Sequence, residues 1–261
     1  MIAWRHHMWV PTTGDTRLVA VELAGLPEIG EEGTGNDGAI HYAYDFPNAD
    51  VLFHAEGRVG FLTAWLRAPA QVELTFAMES FIDELAAAAG ECPLKFRLDH
   101  VTDERGLDVL RAASKQYGWQ CRTSPAPAQA GPVVKGRGIA WVHREGTRVA
   151  TIVELTVDRT SGEIAVQRVV VAHDCGLVVT PDGVKNQIEG NIIQSLSRTL
   201  HEEMTFDQAR VTSREWTGYP ILRFSEIPDS IEIVLVNNRP DLPAGGAGEP
   251  SSCATFAAVS N

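Results

Sequence analysis

The sequence predicts an α+β chain, two lobes of mixed sheet with packed helices, and three features predict it. A helical apolar period runs between Glu73 and Gly90. Two β-rich runs between residues 150 and 171 flank a turn. A Pro/Ala stretch, Ser124-Pro-Ala-Pro-Ala-Gln-Ala-Gly-Pro132, separates the two kinds of pattern. Such a segment keeps an extended backbone and joins units rather than building them. The lobes expected are residues 1–125 and 136–261.

From the amino terminus, residues 1–25 alternate aromatic, aliphatic and polar side chains, and Leu18-Val-Ala-Val-Glu-Leu23 reads as a strand or buried run. Ile29 to Gly38 is a loop of glycines and acids. It lacks GxGxxG spacing between a strand and a helix, so it is not read as a nucleotide loop. Met78, Phe81, Ile82, Leu85 and Ala89 recur on one helical face. Glu73, Glu79, Asp83 and Glu84 fall in the first turns and on the wet side, and Gly90 suits the carboxy-terminal cap. A second helix is expected over Glu104–Tyr117, with Leu107, Leu110 and Tyr117 inward and Gly118 ending it.

Beyond the linker, Ala150–Val157 and Ile164–Val171 read as strands around a hairpin turn at Asp158–Glu163. Thr180 and Pro181, a cap and a first-turn proline, open a helix that runs to about Leu200. Ile231–Val236 is a further strand.

Bulk properties narrow the classes. Hydrophobic residues make up 44 % and charged residues 21 % of the 261 positions, an ordinary globular composition. A net charge of −12 leaves no basic stripe to neutralise phosphates, which argues against a nucleic-acid partner. Cys92, Cys121, Cys175 and Cys253 are far apart with no CxxC pairing, so neither a disulfide framework nor a zinc site is expected. No run approaches a membrane span, and the first residues have no apolar signal core. Membrane insertion is therefore not expected. The location expected is cytoplasmic, or periplasmic if a partner carries the export signal.

Three places break local rules in ways that suit a ligand. Gly245, Gly246 and Gly248 allow close backbone approach, and Glu249 follows them as a candidate general base if burial or a cofactor raises its pKa. The alternative there is an acidic turn. Gly190 interrupts the Thr180–Leu200 helix beside Asn186 and Gln187, at a cost of roughly 1 kcal/mol against alanine, and signals either a ligand or close helix packing. Arg67 precedes a proline turn, where its planar fork could hold a phosphate or simply be solvated. Spacing alone gives no reason to bring the three together.

In order along the chain, several segments resemble those of molybdopterin-binding large subunits in the xanthine dehydrogenase and aldehyde oxidase family. They are Ala3-Trp-Arg-His-His7, Tyr44-Asp-Phe-Pro-Asn48, Trp65-Leu-Arg-Ala-Pro-Ala70, Phe76–Leu85, Pro93–Leu98, Gly136–Ala140, Asp174-Cys-Gly176, Gln187-Ile-Glu-Gly190 and Gly245–Pro250. Absence of a Gly-Gln-Gly loop between Arg67 and Gln187 resembles the branch that holds nicotinate dehydrogenase and the isoquinoline 1-oxidoreductase beta chain. The likeness is to the carboxy-terminal part of such a large subunit.

The resemblance implies molybdenum on molybdopterin, in the cytosine dinucleotide form, held through the cofactor's own dithiolene rather than by protein ligands. It implies hydroxylation of an electron-poor carbon of an N-heterocycle or aldehyde, with oxygen from water and Glu249 as the base. Arg67 and Ala68 would lie against the pterin or the metal's oxo group, Gln187 would bond the pterin, and Gly246, Ala247 and Gly248 would complete the cofactor contacts. Electrons would leave through an iron–sulfur small subunit carrying 2Fe-2S clusters. The remaining amino-terminal half of the molybdenum subunit is the other expected partner. Because the family's two glycine-rich loops are not in this chain, it is expected to hold no stable cofactor alone. The competing reading is an inactive remnant or assembly module that keeps the fold and acts by protein contact.

Overall fold

The protein is described by a computed structural model covering residues 3–11, 24–25, 44–56, 66–125, 127, 129–236 and 239–261. The expected strand at Leu18–Leu23 and the loop at Ile29–Gly38 lie outside the described residues. In chain order the elements are β1 (Trp4–Pro11), β2 (Ala49–Glu56), α1 (Gln71–Ala88), α2 (Pro93–His100) and α3 (Glu104–Tyr117). After the Pro/Ala stretch come β3 (Val133–Arg144), β4 (Thr147–Asp158), β5 (Ile164–Asp174), α4 (Pro181–Leu200), β6 (Ser230–Leu235) and α5 (Pro250–Ser260). Strands β1 and β2 form a parallel pair. The larger sheet runs β3-β4-β5-β6, antiparallel except for the parallel β5–β6 pairing.

That sheet is covered on both faces. Ile139, Trp141, Ala150, Ile152, Val170 and Ala172 face a core completed by Ile82 of α1 and Val109 and Leu110 of α3. Ala140, Val142, Val149, Val153, Val169 and Val171 face Ile188, Ile192 and Leu196 of α4 and Cys253 and Ala257 of α5. Burial on both sides explains why the strands read as continuous apolar runs rather than strict alternation. Helices that precede the Pro/Ala stretch thus pack on the sheet that follows it.

Local signals act where they are self-contained. Helix α3 has the expected bounds, with the Asp103 carboxylate accepting the Arg105 amide at 3.1 Å and Gly118 turning left-handed at φ 77°. The β4–β5 turn is closed by Asp158 Oδ1, which accepts the Thr160 amide at 2.7 Å. Helix α4 starts with Pro181 as expected, but the Thr180 side chain makes no capping hydrogen bond.

Four expectations are corrected by tertiary packing. Glu79 is not on the wet side; it is 1 % exposed, and Phe81, expected inward, is 45 % exposed. Helix α1 packs against α5 and touches β3, so its middle is enclosed and one charged side chain turns inward. Glu79 accepts the Trp141 amide at 3.0 Å and Arg97 Nε at 2.9 Å. Burial raises its pKa, against the pull of Arg97 and the Tyr44 hydroxyl. Strand β3 is the third correction, unread because Gly136 and Gly138 interrupt its pattern. A Cβ on Gly138 would sit 2.3 Å from the Ala258 carbonyl, so the glycine admits the end of α5 against the strand.

The fourth correction concerns the cysteines. Cys92 and Cys121 form a disulfide, with Cα atoms 5.4 Å apart, contrary to the expectation from their spacing. Cys92 precedes α2 and Cys121 follows α3, and the return of the chain between these helices brings the two ends together. Cys175 and Cys253 are free and buried. Among the described residues no helix is long and apolar enough to cross a membrane.

Candidate active site

Arg67 gathers the site. Its Nε donates to the Gly248 carbonyl, and one terminal nitrogen donates to Gln187 Oε1 at 2.8 Å. Gly190 makes room for it, since a Cβ there would lie 3.3 Å from Arg67 Nη1. This glycine inside the unbroken α4 thus leaves room for the guanidinium. Arg198 of α4 donates to the Arg67 carbonyl at 2.9 Å, fixing the backbone that carries it.

The turn after Arg67 is held in an uncommon conformation. Ala68 and Ala70 have φ of 64° and 59°, left-handed values that cost a residue bearing a Cβ and persist only where surroundings enforce them. Ala68 is 1 % exposed, and its backbone amide faces the Glu249 carboxylate closely enough to favour the charged form.

Glu249 is the residue before α5, so its carboxylate also lies at the positive end of that helix. Arg144, the last residue of β3, donates to Glu249 Oε2 at 2.6 Å. Burial pushes the carboxyl up, but the Ala68 amide and Arg144 pull harder, and its pKa lies below the usual glutamate value. Burial alone therefore does not lift this carboxyl above the ordinary glutamate value, and its side chain stays 29 % exposed.

The glycine loop is shaped mainly by its own chain. The Gly246 amide donates to the Glu145 carbonyl at 3.0 Å, and Thr147 Oγ1 donates to the Gly246 carbonyl at 2.6 Å. A Cβ on Gly245 would come within 2.6 Å of Thr147 Oγ1. Asn191, fully buried, donates to the carbonyls of Gln187 at 2.7 Å and Ala247 at 3.3 Å, and accepts from Ser252 Oγ at 2.6 Å. One asparagine thereby ties α4, the loop and α5 together. Beside them an open hollow of about 260 Å³ is lined by Cys175, Thr180, Val184, Gln187, Gly245 and Ala247.

All seven residues singled out in sequence, Arg67, Ala68, Gln187, Gly246, Ala247, Gly248 and Glu249, thus belong to one connected region. Sequence reading missed Arg144 and Asn191. Arg144 stands beside the tight turn Glu145-Gly146, which reads as an exposed hairpin end. Asn191 lies one helical turn after Gln187, and that spacing was the available signal.

A profile described as a molybdopterin cofactor-binding domain matches residues 112–228. Over 207 residues the chain is 42 % identical to a component chain of nicotinate dehydrogenase from Pseudomonas putida, covering 76 % of this chain and 17 % of that protein. The beta chain of isoquinoline 1-oxidoreductase from Brevundimonas diminuta is 34 % identical over 173 residues, covering 66 % of this chain and 21 % of that protein. The chain belongs to the molybdopterin-binding subunits of the xanthine dehydrogenase family. The chain spans about a fifth of the length of these curated relatives. Its fold is that of the aldehyde oxidoreductase from Desulfovibrio gigas, with a TM-score of 0.71 at 15 % identity over 99 % of this chain and 44 % of that one. The resemblance carried by the ordered segments is borne out, and the mixed helix-and-sheet class with it.

Proposed function

We propose that this chain is the part of a molybdenum hydroxylase that supplies the general base, Glu249, and one wall of the cofactor site. The observation that carries the reading is the meeting of Arg67, Gln187 and Gly248–Glu249, with Arg67 and Gly248 separated by 181 positions in sequence. Within it, residues 1–125 and 136–261 are proposed as successive lobes of the molybdopterin-binding region.

The residues present fit molybdopterin, proposed in its cytosine dinucleotide form. The hollow beside the glycine loop is walled by Gln187, whose Oε1 is taken by Arg67, leaving its amide nitrogen to donate to a ligand. The metal's ligands would come with the cofactor, so the reading asks for no cluster of protein ligands. When bound, the group supplies a two-electron oxidation that takes its oxygen from water.

The chain's own work is then positional and protolytic. Gln187 binds the pterin edge, and Arg67 with Ala68 keeps the wall in shape. Glu249 accepts the proton of the attacking water, a role its ionised state allows at neutral pH. The substrate class is an electron-poor carbon in an N-heterocycle or aldehyde, as the names of the relatives suggest. The partners are the rest of the molybdenum subunit and an iron–sulfur subunit with 2Fe-2S clusters.

Glu249→Gln in the assembled enzyme tests this. Turnover should fall roughly 10²–10⁴-fold with molybdenum content unchanged, since glutamine keeps the shape but accepts no proton. In the unsubstituted enzyme the rate should fall with acid through a pKa below the ordinary glutamate value, and the glutamine variant should lack that limb. Full metal occupancy with near-normal turnover would sink the assignment.

A further inference from the structure

Arg144 is buried out of proportion to its partners. Its side chain is 7 % exposed, and a single nitrogen, Nη2, meets both Glu249 Oε2 at 2.6 Å and Glu145 Oε1 at 3.0 Å. Its Nε and Nη1 are enclosed and find no acceptor among the described residues. A buried guanidinium with two idle donors depends for its compensation on the carboxylates it does reach. Of those two, Glu145 is 48 % exposed on the hairpin turn, while Glu249 is the more enclosed.

The two ends of the Arg144–Glu249 pair differ in rigidity. Arg144 closes β3, which is paired with β4 along its whole length. Glu249 stands where the glycine loop meets α5, a backbone held by Thr147, Asn191 and Arg67, but its own side chain has three rotatable bonds before the carboxylate. Direction is thus imposed on the carboxylate from outside, by Arg144 on the strand and by the Ala68 amide in the 66–70 turn.

We infer that Arg144 is a positioning residue for Glu249: anchored on β3, it sets where the carboxylate at the start of α5 points. The inference rests on the base reading of Glu249 given above. Around the pair, Arg67 lies across the site, and Glu145 competes for the same nitrogen of Arg144. Burial pushes the Cys253 thiol up to about 12 and the His173 ring down to about 4, so both are neutral near pH 7. Arg144 is therefore the cation in direct contact with the base.

The test compares Arg144→Met, Arg144→Lys and Glu249→Gln in the enzyme assembled from the full subunit, with a parallel carboxyl titration by carbon NMR in the cofactor-free subunit. Arg144→Met should lower kcat roughly a hundredfold with KM little changed. Loss of the cation should move the acid limb, and the Glu249 titration midpoint, toward higher pH. Arg144→Lys restores the charge on a shorter and more mobile stem, so the acid limb should return while kcat recovers only in part. An acid limb and titration midpoint unmoved in Arg144→Met, with Glu249→Gln inactive, would overturn the positioning role and leave the base in place. If Arg144→Met fails to assemble, full wild-type kcat in Arg144→Lys overturns it. An active Glu249→Gln enzyme removes the base reading and this inference together.

Discussion

The Glu79 carboxylate accepts the backbone amide of Trp141 at 3.0 Å, so a side chain from helix α1 closes the outer edge of strand β3. The same carboxylate pairs with Arg97, whose side chain is fully buried. Edge amides usually face water or a neighbouring strand. Here an internal ion pair serves in their place.

Removing one member of that pair should be costly and removing both should not. Glu79→Ala leaves Arg97 buried beside Asp83 alone and should lose roughly 3–5 kcal/mol in urea unfolding. Glu79→Gln combined with Arg97→Met should recover a large part of this. A double variant as unstable as the single one would show that the pairing is not the source.

Gly138 is expected to be intolerant for a steric reason. Alanine there would place Cβ 2.3 Å from the Ala258 carbonyl and 2.8 Å from the Asn261 carbonyl carbon, both backbone atoms that cannot yield alone. Overpacking of this kind costs roughly 1–3 kcal/mol. Gly136→Ala, which meets only the Leu155 side chain at 3.3 Å, is the control and should cost less. Equal thermal shifts for the two would remove the argument.

Acid should weaken the fold through Asp174. Arg105 donates to both of its oxygens, at 2.9 Å and 2.8 Å. Burial pushes this carboxyl up, but Arg105 and the Gly176 amide outweigh it and hold the pKa below the ordinary 3.8. A depressed pKa contributes stability that is complete above the unfolded value and disappears as pH falls through the folded one. Asp174→Asn should therefore be less stable near pH 7, and its stability should fall less between pH 3.8 and lower values. Parallel acid unfolding curves for both proteins would contradict this.

Arg67→Lys should damage the site while sparing the fold. A lysine ammonium cannot reproduce the planar donation to the Gly248 carbonyl and Gln187 Oε1 together. Cofactor retention in the assembled enzyme should fall roughly 10–100-fold, the range for losing a residue that orients binding groups. The check is molybdenum content after gel filtration, with the unfolding midpoint of the chain unchanged. Undiminished retention would mean that Arg67 only shapes a loop.

The sequence by itself determined those elements whose instructions are local. Helix α3 carries its own cap at Asp103 and its own stop at Gly118, and the β4–β5 hairpin carries Asp158 and Gly162. The family was legible too, because short segments such as Gln187–Gly190 and Gly245–Pro250 keep their order along the chain. Tertiary structure alone decided the rest. Helix α5 is built of small residues, eight of them buried, so it shows no polar face to read, and the pattern of β3 is broken by two glycines, of which Gly138 makes room for α5. The placement of Glu79, the Cys92–Cys121 bond and the pairing of Arg144 with Glu249 depend on which distant surfaces meet. A charge read in isolation is cheapest in water. Only when the sheet edge and the glycine loop arrive does a buried position become the one where its hydrogen bonds are satisfied.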